Sequence, residues 1–198
     1  MSDNIDIQDE KYEGSPHQQY HRLINDGQDT WLAVRTLGAT GTGVFQIDEA
    51  WYDLTGENPQ KVLQYPILGY FANDEVCNRE FGSRTVSEGA SVSGFRVRIR
   101  FWVRYGGPAA AGKLRQQKLA TFAWNPSLNR FVLDSTASEL DQEEIDDVFS
   151  AGFLSDSKFL VYNLRDLSAM RNRGHLRTNA WVDSMLNQIR ARSRSWTN

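Results

Sequence analysis

The chain of 198 residues carries 22 basic and 25 acidic side chains, a formal net charge of −3, with 40% hydrophobic and 12% aromatic residues. That length fits one domain, or one domain with an appendage, and can bury a core without a disulfide or a metal. The charge balance argues against a dedicated nucleic-acid binder, the lone cysteine, Cys77, excludes an internal disulfide, and no apolar run approaches the ~18 residues of a membrane span.

Charge is laid out in blocks. Residues 1–17 carry −4, residues 18–138 carry +2, residues 139–156 carry −7 and residues 157–198 carry +6. Three regions follow: an acidic, flexible N-terminal arm over 1–17, a β-rich core over 18–138, and a helical C-terminal portion over 139–198 packed on the sheet. The acidic start M-S-D-N-I-D-I-Q-D-E lacks the basic-then-apolar order of a signal peptide. We therefore expect a cytoplasmic chain, an exported mature form being the alternative.

Taken in order, Gln18–Asn25 suggests a short helical turn and Thr30–Leu37 a strand. Gly38, Gly41 and Gly43 then form a glycine-rich turn rather than a phosphate-cradling loop, because Val44–Ile47 reads as strand and not as a helix start. Trp51–Leu54 continues that strand or begins another, and Thr55–Pro59 is a turn. Val62–Tyr70 is an apolar run broken by Pro66, which suits a sheet edge or a loop. Residues 73–89 show no pattern that assigns them.

Gly94–Tyr105 reads G-F-R-V-R-I-R-F-W-V-R-Y. Side chains alternate along a strand, so Phe95, Val97, Ile99, Phe101, Val103 and Tyr105 line one face. Arg96, Arg98, Arg100, Trp102 and Arg104 line the other. Residues 119–134 follow as a hairpin turning at Asn125-Pro126-Ser127-Leu128-Asn129. The period then becomes helical. Thr136 and Glu139 have capping-box spacing before Ile145, Val148, Phe149 and Phe153. A second helix spans about 157–171 with Gly174 as its stop, and a third begins after Thr178 with Val182, Met185, Leu186 and Ile189. Strands first and helices afterwards predict an α+β chain: a largely antiparallel sheet of hairpins followed by about three helices.

The arginine row is the sharpest candidate site. Several guanidinium forks on one face suit phosphates, sulfates or carboxylates, with Trp102 available to stack. The plainer explanation is a solvated face paired with acids such as Asp48, Asp53 or Glu88. Arg190, Arg192 and Arg194, with Trp196, form a basic tail that suits an acidic surface, the chain's own acidic block or a nucleic acid. His17 and His21 share an i, i+4 spacing but have no third ligand, and His175 fits a helix boundary, so we expect no metal and no cofactor. Asp146 with Asp147, and Glu143 with Glu144, are neighbours about 100° apart on a helix and do not converge for acid–base chemistry. No nucleophile or metal constellation is recognisable. The sequence therefore predicts a non-enzymatic interaction or assembly module, with a protein partner or self-association. An enzyme of hydrolase type that brings Asp134, His175 or Glu80 together in space is the alternative. Anionic-ligand or nucleic-acid binding through the arginine row and basic tail is the second.

Overall fold

The computed structural model describes residues 21–25, 27–72, 78–91, 94–106, 114–172 and 187. The strands are β1 (His21–Asn25), β2 (Thr30–Gly41), β3 (Val44–Asp53), β4 (Gln60–Phe71), β5 (Asn78–Ser91), β6 (Gly94–Gly106), β7 (Leu114–Asn125) and β8 (Arg130–Leu133). Two helices follow, α1 (Gln142–Val148) and α2 (Asp156–Asn172). Every strand pairs antiparallel with its neighbours in sequence, giving one eight-stranded meander in the order β1 to β8. The described chain is thus mostly β, with two helices late in it. The expected third helix, the arm over 1–17 and the basic tail lie outside the described residues.

The odd-numbered row of β6 is buried along its whole length from Phe95 to Tyr105. The sheet curls so that this row meets the first strands. Trp31 of β2 lies 4.9 Å from Phe95 and 5.3 Å from both Trp124 and Phe131, centroid to centroid. Tyr65 of β4 meets Phe101 edge-on at 6.5 Å. The two helices cover the far end of the same inner face, through Phe149 against Phe101 and Phe159 against Tyr105. At the opposite end the β7–β8 turn touches the β3–β4 connection. There Asn129, whose φ is 47°, donates to Asp53 Oδ2 at 3.3 Å and to Gln60 Oε1 at 3.1 Å.

Several expectations change. Gln18–Asn25 does not hold a helical turn at its described end, because His21–Asn25 is strand, with Ile24 buried and Leu23 exposed. Val44–Asp53 is one strand, so of the two readings of Trp51–Leu54 the continuation holds as far as Asp53. Pro66 lies within an interior strand, at the register shift facing Asp48 and just where pairing with β5 ends, so its missing N–H interrupts no ladder there. Its carbonyl accepts the Ser83 hydroxyl at 2.6 Å. The unassigned residues from Asn78 onward are β5. Thr136 and Glu139 form no capping box: Thr136 donates to Asp134, Glu139 accepts the Leu119 amide, and α1 is capped by Asp141, which accepts the Glu144 amide at 2.8 Å. Phe153 lies beyond α1 and is exposed.

Glycine is required at position 69. A Cβ there would run into the Phe81 ring and the Phe45 carbonyl. We expect Gly69→Ala to cost about 1–3 kcal/mol in urea unfolding, the usual scale of an overpacked core.

Candidate functional site

The even-numbered row of β6 faces away from the core, and its surroundings follow from the register. Arg104 lies between Glu80 and Arg115, Trp102 between Gly82 and Gln117, Arg100 between Arg84 and Leu119, Arg98 between Ser87 and Thr121, and Arg96 between Gly89 and Ala123. Strands are ~4.8 Å apart, and alternate residues along one strand are ~6.5–7 Å apart. Arg84, Arg98 and Arg100 therefore form a triangle of guanidinium groups on one patch of sheet.

The acids suggested by the sequence do not neutralise this row. Asp48 is buried and takes the side-chain amides of Gln46 and Gln64. Asp53 accepts the Thr55 amide and hydroxyl, and Glu88 holds Arg22. The row's ends are paired with other acids: Arg96 with Asp134 at 3.1 Å and Arg104 with Glu80 at 3.0 Å. The Asp134 carboxyl is held below its ordinary pKa, chiefly by the Thr136 hydroxyl and its backbone amide, with Arg96 adding to these. Between these two pairs, Arg98 and Arg100 have no ion pair among the described residues, and neither does Arg84. Arg84 was not singled out from sequence, because only the register shows it opposite Arg100.

Trp102 is seated by a glycine. A Cβ on Gly82 would stand 2.7–2.8 Å from two atoms of its indole, so the ring lies across β5 where no side chain intervenes. The Arg104 guanidinium sits 5.8 Å from the ring centroid. The face thus offers a flat, half-buried aromatic platform beside three arginines that have no ion pair among the described residues.

A second polar cluster lies on the inner face. Arg22 of β1 grips Glu88 of β5 through both guanidinium nitrogens, at 2.6 and 3.0 Å, reaches Glu49 at 3.2 Å and stands 5.4 Å over Trp51. Glu49, itself buried, also accepts the Trp51 indole N–H at 3.1 Å and the Tyr65 hydroxyl at 2.6 Å. Burial alone would lower the Arg22 pKa, but Glu88 and Glu49 more than offset it and hold the group above its ordinary value. Tyr65 is pushed up, first by burial and then by the Glu49 charge. Trp51 and Tyr65 are fixed in the core, Arg22 and Arg35, the latter 3.8 Å from Glu49 Oε2, reach it from the rim, and the cluster ties β1 to β3, β4 and β5.

The acidic block finds partners within the chain. Glu144 is buried and paired with Lys118. Lys158 of α2 bridges Glu143 and Asp147 of α1, and its pKa is raised chiefly by Asp147. Arg79 is fully buried and donates to the carbonyls of Asp147 and Gly152, with Val148 at 3.4 Å.

The carboxylates weighed for an enzyme do not meet. Asp134 and Glu80 are held by arginines eight residues apart on β6, roughly 26 Å along the strand. His21 is exposed on β1, while His17, His175, Cys77, Arg190, Arg192, Arg194 and Trp196 lie outside the described residues. Gly43, at φ 75°, turns β2 into β3, whereas Gly38 and Gly41 lie within β2, so only the end of the glycine-rich stretch is the hairpin turn. Among the described residues no group of His, Cys, Asp or Glu is placed to hold a metal ion, and no helix is long and apolar enough to cross a membrane. No family model matches the chain, and no curated protein or solved structure matches it at a significant level.

Proposed function

We propose that this protein is an interaction module that docks a carboxylate-bearing surface of a partner protein on the outer face of β5, β6 and β7. The observation that carries the reading is the register pair Arg84–Arg100, two like charges directly opposite on one face, with Arg98 beside them and no acid among the described residues within ion-pair reach. Like charges facing each other across a ladder are destabilising. A sheet that gained nothing from this arrangement would do better with threonine at either position. Carboxylates from a partner relieve the repulsion, and forked guanidinium groups hold them with directional hydrogen bonds. Trp102 adds a rigid aromatic surface of the kind enriched where proteins meet.

The acidic and basic C-terminal blocks give less support to an assembly through those blocks, since Glu143, Glu144 and Asp147 already have lysine partners in the same chain. A net charge of −3 argues against a dedicated nucleic-acid binder.

The test uses poly-L-glutamate as a stand-in for the acidic surface. The chain should be retained on immobilised polyglutamate at ~50 mM salt and released as ionic strength shortens the range of the attraction. Arg98→Glu with Arg100→Glu should abolish retention. Equal retention of the double variant would overturn the proposal, as would failure of the native chain to bind.

A further inference from the structure

A bulge in β5 re-aims one hydroxyl. Gly82 and Arg84 lie opposite Trp102 and Arg100, then the register slips between Thr85 and Ser87, with Val86 as the extra residue. Without the slip, Ser87 would share the inner face with Thr85, two residues earlier. With it, Ser87 stands directly opposite Arg98 on the outer face, while Thr85 and Glu88 turn inward, where they meet Tyr65 and Arg22. Ser87 is exposed, as are Arg84 and Arg98. Arg84 is its outer-face neighbour along β5, and Arg100 is diagonal to it, a separation of ~7–8 Å that long side chains span. The hydroxyl thus stands among the three arginines that have no ion pair among the described residues.

We propose that Ser87 is a phosphorylation site whose phosphate, held by Arg84, Arg98 and Arg100, withdraws these arginines from the docking partner. This rests on the docking role argued above and names its regulation. A phosphoserine brings about −1.5 to −2 charge and three strong acceptor oxygens. Forked guanidinium groups around it donate charge-assisted hydrogen bonds, and the repulsion between Arg84 and Arg100 is relieved within the chain instead of by a partner. The stretch Arg84-Thr85-Val86-Ser87 sets a guanidinium three residues ahead of the hydroxyl, the kind of charge pattern by which a protein kinase selects its substrate. In the transfer, the γ-phosphorus of a nucleoside triphosphate bonds to Ser87 Oγ as its bond to the β–γ bridging oxygen breaks. The hydroxyl proton passes to the kinase's catalytic carboxylate, and the nucleoside diphosphate leaves.

The full chain is incubated with magnesium, ATP and an arginine-directed protein kinase, and the product is mapped by mass spectrometry. Phosphate should enter at Ser87. The modified chain should be held on polyglutamate at least about tenfold more weakly than the unmodified one, while Ser87→Ala keeps native retention. By phosphorus NMR the phosphate should titrate about one unit or more below its ordinary value of about 6, because neighbouring cations favour the dianion. No phosphate at Ser87, under conditions that label a free peptide of residues 81–91, overturns the proposal. So does a phosphate with ordinary titration, even where retention is lost, since the loss would then come from a disturbed fold. A lowered titration with unchanged retention overturns it too, because holding these arginines would not close the docking face. In all three cases retention of the unmodified chain leaves the docking reading standing, and that reading falls only if the unmodified chain is itself not retained.

Discussion

Replacing Glu49 with leucine is expected to destabilise the chain by about 3–5 kcal/mol, the scale on which removing one partner of a buried charged network is felt. Its carboxylate accepts from Arg22, from the Trp51 indole and from the Tyr65 hydroxyl. Leucine leaves the Trp51 indole without its acceptor and the Tyr65 hydroxyl with only the Thr85 hydroxyl at 3.3 Å, and an unsatisfied buried donor costs about 1–3 kcal/mol. Arg22 keeps Glu88, so Glu88→Ala at the half-exposed rim should cost far less. Urea midpoints of the two variants measure the difference, and equal midpoints would contradict the assignment of Glu49 as the centre of the cluster. The same site shapes the alkaline limb. Because burial and Glu49 raise the Tyr65 pKa, the unfolded chain loses that proton first, from about pH 10 upward. Above that pH the unfolded state binds fewer protons than the folded one, and stability falls as pH rises. Tyr65→Phe should remove that part of the alkaline loss.

Arg79→Met is expected to cost about 3 kcal/mol, since bonds from a charged donor contribute ~1.5–3 kcal/mol each. The methionine keeps an apolar stem beside Phe71, whose ring centroid lies 5.0 Å from the guanidinium carbon. What it removes is the fork that joins the end of α1, through the Asp147 carbonyl, to Gly152 in the connection to α2. Arg79→Lys should not restore the loss, because an ammonium lacks the planar spread to reach both. Amide exchange should show α1 and the start of α2 opening in the variant while β6 stays protected. An Arg79→Met chain within ~0.5 kcal/mol of native, the range of ordinary surface substitutions, would show that apolar packing alone seats the helices.

These two residues mark where the sequence is hard to read. The β6 strand is legible because its alternation is unbroken: six apolar side chains inward, four arginines and a tryptophan outward. The β7–β8 hairpin is legible because its turn has Asn125 accepting from the Ser127 and Leu128 amides. In contrast, β5 places Arg79 among the buried residues, carries glycine at 82 and slips register between Thr85 and Ser87, so neither hydrophobicity nor a clean period identifies it. On β1, Arg22 reaches into the inner cluster for the same reason: a polar side chain is accepted because partners on distant strands satisfy it. Of the candidate site, the arginine row was visible, but its neighbours were not. Arg84, Gly82 and the true partners Asp134 and Glu80 are set by register and by the path after β8, which local sequence does not encode.

The account as a whole requires that the outward arginines serve recognition and that stability resides on the inner face. Urea unfolding of Arg98→Glu with Arg100→Glu, run beside polyglutamate retention of the same preparation, tests this most directly. The predicted result is an unfolding free energy within ~0.5 kcal/mol of native, as for surface substitutions, together with complete loss of retention. A large fall in stability would contradict it, because the row would then be part of what holds the sheet together.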